Sequence, residues 1–340
     1  MLEPLGAQTL RLRAPVIVTH GAAVVGKKEG DGPLGDRFDR ISADSYFGEK
    51  SWEAAETTML RQCFEAVCAK AELRPAALRY LLAGDLQNQC TASAYAVRDT
   101  GVPYFGLYNA CSTMGEALGL GAVLTACGAG DVCAMASSHF CSAERQFRGP
   151  LEYGGQRTPS AQWTVTGAGA VILRSRGTGP RIRFVTTGKV VDAGITDLSN
   201  MGAAIAPAAL DTILAHFQDT GLPPDYYDAV VTGDLGHFGH TLLEELAARN
   251  GLRFPERVAF TDCGMLVFDR ERQDVHAGGS GAGCSASVFA GHILRLMQEG
   301  VWNRVLFAPT GALMSTVTSQ QGESIPAICH AVAVENGGFD

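Results

Sequence analysis

The sequence lacks long apolar segments. No stretch reaches the about 18 consecutive apolar residues that a membrane-spanning helix needs. Residues 1–18 also lack the run of about 7–15 apolar residues that is typical of a secretory signal peptide. We therefore expect neither an export signal nor a transmembrane segment, and any role at a membrane should be peripheral.

Dense basic clusters and metal-binding cysteine patterns are also missing. The net charge is −8, and no lysine/arginine cluster has the density of a nucleic-acid-binding surface. The ten cysteines form no CxxC pair and no zinc spacing, so we expect no metal site. Without an export signal, most of them should be reduced thiols that fill the core.

Glycine, in contrast, is abundant. The 41 glycines exceed the usual share of about 7%, but they follow no fixed period, which excludes a collagen-like chain. Hydrophobic residues make up 46% and charged residues 18%, as in globular proteins. The length of 340 residues suits one large domain or two packed halves.

Two parts of the chain repeat the same pattern. Gly84-Asp85-Leu86 and Gly233-Asp234-Leu235 each follow an apolar run. Cys111-Ser112 and Cys284-Ser285 each open a helical pattern rich in small residues, followed by a glycine turn and a strand pattern. The repeat predicts an N-terminal half, 1–175, with the Cys111 helix, and a C-terminal half, 176–340, with the Cys284 helix.

Hydrophobic periodicity predicts alternating strands and helices, which is typical of a layered α/β fold. Strands are expected at 15–19, 132–136, 167–173, 181–187, 305–308 and 331–335. Helices are expected at 53–71, 208–217 and 242–250, and the segment 26–44 should be a loop. The two Cys-Ser helices should pack closely together between two sheets, because each internal glycine otherwise costs roughly 1 kcal/mol.

Cys111 is the main candidate for chemistry. A thiol at a helix N-terminus meets unpaired N–H groups, which favour either a thiolate or a bound carboxylate. His276 begins a glycine-rich turn that leads into the second helix, where it could activate the thiol or donate to a ligand. The alternative is structural: Cys111 fills space and His276 caps a loop.

Further polar residues follow the predicted strands, where α/β proteins place their sites. Turn formation and helix capping are the alternative roles for these side chains. The expected ligand-binding set is Asp85, Asn88, Gln89, Cys111, His139, Asp234, His237, His276 and Glu323.

These features resemble the thiolase and ketoacyl synthase superfamily, through Ala110-Cys111-Ser112, the turn at His276 and the duplicated halves. Within it, the chain is similar to the stage V sporulation protein AD family over 19–335. The stretches that carry this similarity are 151–171 (LEYGGQRTPSAQWTVTGAGAV), 224–235 (PDYYDAVVTGDL), 274–287 (DVHAGGSGAGCSAS) and 320–326 (QQGESIP).

The resemblance implies a duplicated, five-layered αβαβα fold with two buried central helices. It also implies a sporulation protein that binds dipicolinic acid (pyridine-2,6-dicarboxylate) and supports its uptake into the developing spore. Such a protein would be the soluble subunit of a channel complex, together with membrane proteins of the same operon at the spore inner membrane. The resemblance implies no cofactor, although calcium can accompany dipicolinate, and by analogy we expect a homodimer.

The chain departs from the superfamily's catalytic pattern. Gly233 and Asp234 occupy the place after a strand where the superfamily usually carries a second catalytic histidine or asparagine. The segment 323–326 lacks the second cysteine of thiolases. This favours ligand binding, while an acyltransferase with Cys111 and His276 as catalytic residues, or a structural scaffold for membrane partners, remain the alternatives.

Overall fold

Strands are spread along the whole length of the protein. The computed structural model describes residues 2–147 and 157–337, so the start of the stretch 151–171 lies outside the described residues. The strands are β1 (Leu2–Leu5), β2 (Thr9–Leu12), β3 (Ile17–Gly26), β4 (Arg40–Ser42), β5 (Tyr80–Gly84), β6 (Tyr104–Gly106), β7 (Val132–Ser138), β8 (Trp163–Thr164), β9 (Gly167–Arg174), β10 (Arg181–Thr186), β11 (Ala229–Thr232), β12 (Ala259–Asp262), β13 (Gly279–Ser280), β14 (Arg304–Ala308), β15 (Thr310–Ala312), β16 (Ala327–Cys329) and β17 (Ala331–Glu335).

Helices alternate with these strands. They are α1 (Lys27–Gly30), α2 (Trp52–Lys70), α3 (Thr91–Val97), α4 (Thr113–Ala126), α5 (Phe140–Phe147), α6 (Met201–Thr220), α7 (Gly236–Arg249), α8 (Cys263–Leu266), α9 (Ala282–Val288), α10 (Leu294–Gln298) and α11 (Thr316–Gln320). A π-helical turn, Phe289–Ile293, joins α9 and α10 into one run over 282–298. None of the helices in the described ranges is long and apolar enough to cross a membrane.

One strand order occurs twice. The first half contains β6-β5-β7-β9-β3 and the second contains β12-β11-β14-β17-β10. In both, the first three strands are parallel and the last two are antiparallel to their neighbours. A single pair, Ile17 with Arg181, joins the two half-sheets. The repeated order agrees with a duplicated unit, while the boundary near residue 175 stays a prediction.

Three apolar clusters separate the layers. The outer cluster of the first half packs α2 against β3, β7 and β9, through residues such as Met59 and Ile172. The outer cluster of the second half packs α6 and α7 against β11 and β14. The central cluster contains α4 and α9, with Met114 and Phe289 fully buried. The sequence therefore places two apolar helices between the half-sheets and amphipathic helices outside them.

The glycines of α4 serve a different contact from the one expected. A Cβ on Gly115 would lie 2.7 Å from the Pro309 ring, and one on Gly121 would lie 2.8 Å from the Leu173 side chain. These neighbours belong to the two half-sheets and their connecting segments. The glycines therefore let the sheets approach the helix, whereas the prediction assigned them to the contact between the two helices.

Several predicted boundaries are wrong. Helix α7 begins at Gly236 rather than at residue 242. The segment 26–44 is not simply a loop, because it contains α1 and β4, and β4 pairs with β3. Helix α6 begins at Met201 rather than at residue 208, and it continues through Pro207. The start is set by Asn200, whose side chain accepts the Ala203 N–H at 3.3 Å.

Candidate ligand-binding site

Cys111 lies in a 3₁₀ turn, Ala110–Ser112, directly before α4. The turn is clamped by the second half of the protein. The Ser112 hydroxyl donates to the Pro309 carbonyl at 2.6 Å and accepts the His330 N–H at 3.1 Å. Gly311 lies so close that a Cβ there would be 2.3 Å from the Asn109 carbonyl oxygen. The position of Cys111 is thus fixed from both halves.

A narrow pocket of about 60 Å³ opens over Cys111. Its walls come from both halves of the chain and combine apolar side chains with buried polar ones. The apolar part is Leu86, Tyr108, Ala110, Ala143, Phe147, Met201, Ile205, Ala312 and Met314. The remaining lining residues are Cys111, Glu144, Gln162, Thr164, Asp234, Ser280 and Gly281.

Asp234 is the polar partner of Cys111 in this pocket. Its carboxyl group is almost fully buried and accepts hydrogen bonds from the Thr310 hydroxyl and the Cys111 thiol. Burial raises the pKa of Asp234 to about 7, and the Asp262 charge adds to this, while the two hydrogen bonds oppose it. The Cys111 thiol therefore faces a carboxyl group and not an imidazole in this pocket.

Two residues that the sequence reasoning missed hold Asp234 in place. Asp262 accepts the N–H groups of Leu235 and Gly236 at 3.0 and 2.9 Å. The Gln162 side chain donates to the Asp234 carbonyl oxygen. Asp262 ends a strand and precedes Cys263-Gly264, a capping pattern that could have been noticed, whereas no local signal marks Gln162.

The pocket contains a second buried carboxyl group. Glu144, on α5, accepts the Thr164 hydroxyl at 3.0 Å and is 4% exposed. No lysine or arginine of the described chain lines the pocket. The pocket therefore has a negative formal charge, which is smaller when Asp234 is protonated. This charge limits which ligands the pocket can accept.

His276 does not reach the pocket. Its Nδ1 hydrogen-bonds to the Thr158 carbonyl at 2.7 Å, and its Nε2 lies 2.9 Å from the Asp274 carboxylate. Of the glycine-rich turn, Ser280 and Gly281 line the pocket instead. The structure therefore does not pair Cys111 with the histidine that the resemblance implied.

The side chains of Asp85, Asn88 and Gln89 do not line the pocket. The Asp85 carboxyl group is fully buried and accepts the Gln87 N–H at 2.8 Å and both the N–H and hydroxyl of Ser93, at 2.7 and 2.5 Å. It therefore holds the turn before α3. Asn88 and Gln89 follow it on the surface.

The remaining predicted residues lie at three other places. His139 lines a groove on the far side of α5 and hydrogen-bonds through Nε2 to the Ser45 carbonyl at 2.7 Å. His237 lines a surface depression beside Phe238, and Glu323 is exposed. Of the nine predicted residues, the structure brings Cys111 and Asp234 together in the pocket. Within 2–147 and 157–337, no group of three or more histidine, cysteine or acidic side chains could hold a metal ion.

Comparison with solved structures defines the class of the fold. Over 94% of this chain and 100% of the other, it is similar to 3-oxoacyl-[acyl-carrier-protein] synthase III from Aquifex aeolicus VF5, with a TM-score of 0.56 and 13% identity. Human mitochondrial 3-ketoacyl-CoA thiolase gives a TM-score of 0.57 at 12% identity, over 96% of this chain and 100% of that one. The predicted thiolase-like α/β fold is confirmed, and identities this low show the fold alone.

Sequence comparison defines the family. The family model for stage V sporulation protein AD matches residues 6–335. Stage V sporulation protein AD of Bacillus subtilis (strain 168) is 41% identical over 334 residues, which cover 98% of each chain. The chain belongs to the stage V sporulation protein AD family, as the sequence resemblance predicted.

Proposed function

We propose that this protein binds dipicolinic acid in the Cys111 pocket and supports its uptake into the developing spore, as the peripheral subunit of a membrane channel complex. The observation that carries the proposal is the pocket itself. Cys111 lies in the pocket at the position expected from thiolases, but its thiol is paired with Asp234. His276 lies outside the pocket. Such a pocket can bind a small acid, but it lacks the imidazole that acyl transfer would use.

The lining of the pocket suits an aromatic acid, but its volume of about 60 Å³ requires side chains such as Met201 and Met314 to move when the ring enters. Met201, Ile205 and Met314 supply apolar walls, as is usual for small-molecule sites. Thr164 and Ser280 supply hydroxyl groups that can bond to ligand oxygens.

The charge of the lining selects the form of the ligand. Asp234 and Glu144 would repel a bare dianion, and no described cation lines the pocket to offset them. A neutral calcium chelate or the protonated acid avoids that repulsion. Ca²⁺ takes about 6–8 oxygen ligands, so a chelate with one dicarboxylate leaves open positions that a carboxylate can fill.

Calorimetric titration tests the proposal. Dipicolinate is added to the full chain with and without an equal concentration of calcium, and saturable binding is expected, tighter with calcium. Ala312→Phe places a ring in the pocket and should abolish binding. Cys111→Ala should weaken it, whereas Cys127→Ala, which removes an exposed thiol at the end of α4, should not. Absence of saturable binding by the wild-type protein would refute the proposal.

An acyltransferase is the second candidate, because Cys111 precedes a central helix in a thiolase-like fold. It predicts a thioester on Cys111 after incubation with acyl-CoA esters. Mass spectrometry of the digested protein detects such an adduct, with Cys111→Ala as the control. If no ester in a broad panel labels Cys111, acyl transfer is excluded.

A structural scaffold for membrane partners is the third candidate. It predicts that spores carrying Ala312→Phe contain as much dipicolinate as the wild type, provided that the variant protein accumulates normally. A fall in spore dipicolinate at normal protein level would contradict the scaffold and support binding.

We also propose a homodimer through the open edge of the first half-sheet. β6 ends this half-sheet, and an unpaired edge strand can pair with a second copy. Phe105 on β6 is 46% exposed, and Tyr95 and Tyr108 beside it are 54% and 39% exposed. Pairing of two copies would cover this apolar surface.

A further inference from the structure

A basic groove lies at the opposite end of the second central helix from Cys111. It is formed by His20, Arg37, Asp39, Lys70, Gly291 and Arg295, with a cavity volume of about 320 Å³. Ser285, near the start of the 282–298 run, donates to the Cys111 carbonyl at 3.2 Å. Arg295 comes ten residues later, about 15 Å along the helix axis at 1.5 Å per residue. The groove is therefore separate from the Cys111 pocket.

The groove concentrates positive charge on an acidic protein. Arg37, Lys70 and Arg295 line it together with Asp39, while the whole chain carries −8. Arg37 also pairs with Asp36 at 3.7 Å, besides the partners given below, so Arg295 is the cation that is left to attract an anion.

Only part of this positive charge is used within the protein. Lys70 lies 2.5 Å from Asp39 and donates to the Gly21 carbonyl at 2.8 Å, and Arg37 pairs with Glu299 at 3.0 Å. Arg295 donates to the Asp36 carbonyl at 3.0 Å, and no carboxylate in the described parts of the chain lies within ion-pair distance of it. Most of the donors of its guanidinium therefore remain for a ligand.

Two irregular backbone segments face each other across the groove. β3 has a bulge between Val18 and His20, and the π-helical turn Phe289–Ile293 interrupts the opposite helix. Bulges and π-turns are uncommon and occur frequently at functional sites. The bulge also leaves the buried Nδ1 of His20 without a hydrogen-bond partner in the described structure. A buried polar nitrogen of this kind costs stability unless a ligand or water pairs with it.

From the cavity, its charge and the unpaired imidazole nitrogen, we propose that the basic groove is a second ligand site, which binds the oxyanion group of a small molecule. Arg295 and Lys70 hold the oxygens from two sides, and His20 Nδ1 takes one further hydrogen bond. Phosphate and carboxylate groups share this chemistry. The proposal is independent of what occupies the Cys111 pocket.

Titration of the full chain with inorganic phosphate, and separately with acetate, tests the site at constant ionic strength. Backbone amide NMR should show saturable shifts centred on Gly21 and Gly291. The anion that binds more tightly, phosphate or acetate, identifies the oxyanion group of the ligand. Arg295→Gln should weaken binding at least tenfold. Arg249→Gln, the same change at an exposed residue that pairs with Glu245, should leave it unchanged.

Circular dichroism checks that Arg295→Gln is folded. If it is not, Lys70→Gln is used instead, because the Lys70 side chain is 44% exposed. Phosphate titration of Ala312→Phe separates the two sites, because that change lies in the Cys111 pocket and the groove should bind phosphate as in the wild type. No saturable binding of either anion, or wild-type affinity in the folded variant, overturns the proposal.

Discussion

The pH dependence of stability should change when Asp234 is replaced by asparagine. Burial raises the pKa of Asp234 from the ordinary 3.8 to about 7 in the folded protein. A group whose pKa is raised on folding stabilises the protein fully below the unfolded value, and this stability is lost as the pH rises towards the folded value. At about 1.4 kcal/mol per pH unit, Asp234 therefore removes up to about 4 kcal/mol between pH 4 and pH 7.

The asparagine side chain of the Asp234→Asn variant cannot ionise, so the variant should escape this loss. For a chain of 340 residues, about 4 kcal/mol corresponds to about 6 °C in melting temperature. Thermal unfolding is measured for both proteins from pH 4 to pH 8, and the variant should gain about 6 °C relative to the wild type over that range. Asp99→Asn, at a surface residue with an 83% exposed side chain, serves as the control and should show no such gain. A constant difference between Asp234→Asn and wild type across the range would refute the assignment of a buried, protonated Asp234.

Three further changes test the geometry. Gly311→Val should lower the melting temperature by about 2–4 °C, because its Cβ would lie 2.3 Å from the Asn109 carbonyl oxygen, and calorimetry should show lost dipicolinate binding. His276→Ala should leave dipicolinate affinity within about twofold, since the ring lies outside the pocket; a large loss would contradict the site. Phe105→Glu should convert the proposed dimer into a monomer in light scattering, and an unchanged mass would exclude this interface.

The local patterns of the sequence were sufficient to find Cys111 and Asp234. Each follows a strand or precedes a helix, and such ends lie at one edge of a sheet in an α/β fold. The strand order that brings the two edges together repeats, as expected for a duplicated chain. Local patterns thus included these two residues, which lie at the ends of regular elements, but the other seven predicted residues lie outside the pocket.

The other members of the pocket could not be found in this way. Gln162 and Glu144 come from segments without a distinctive pattern, and only tertiary packing brings them to Asp234 and Cys111. The prediction that His276 lies at the Cys111 pocket was wrong for another reason. Its backbone is left-handed, with φ of 51°, and its ring bonds to Thr158 rather than turning inward. Spacing along the chain does not fix the direction of a side chain in such a turn.

Asp85 and Asp234 occupy equivalent places in the two halves but have different hydrogen-bond partners. Both follow the glycine after equivalent strands, β5 and β11, and in the first half Asp85 itself accepts the N–H groups of its own turn. In the second half, Asp262 accepts the N–H of Gly236, which corresponds to that of Gln87, and also the N–H of Leu235, while Asp234 bonds to Cys111. The register explains the difference: Ala83 pairs with Gly106, whereas Thr232 pairs with Asp262. A carboxylate on the neighbouring strand thus takes over the structural role, so removing Asp262 should turn Asp234 back towards its own backbone and away from the pocket.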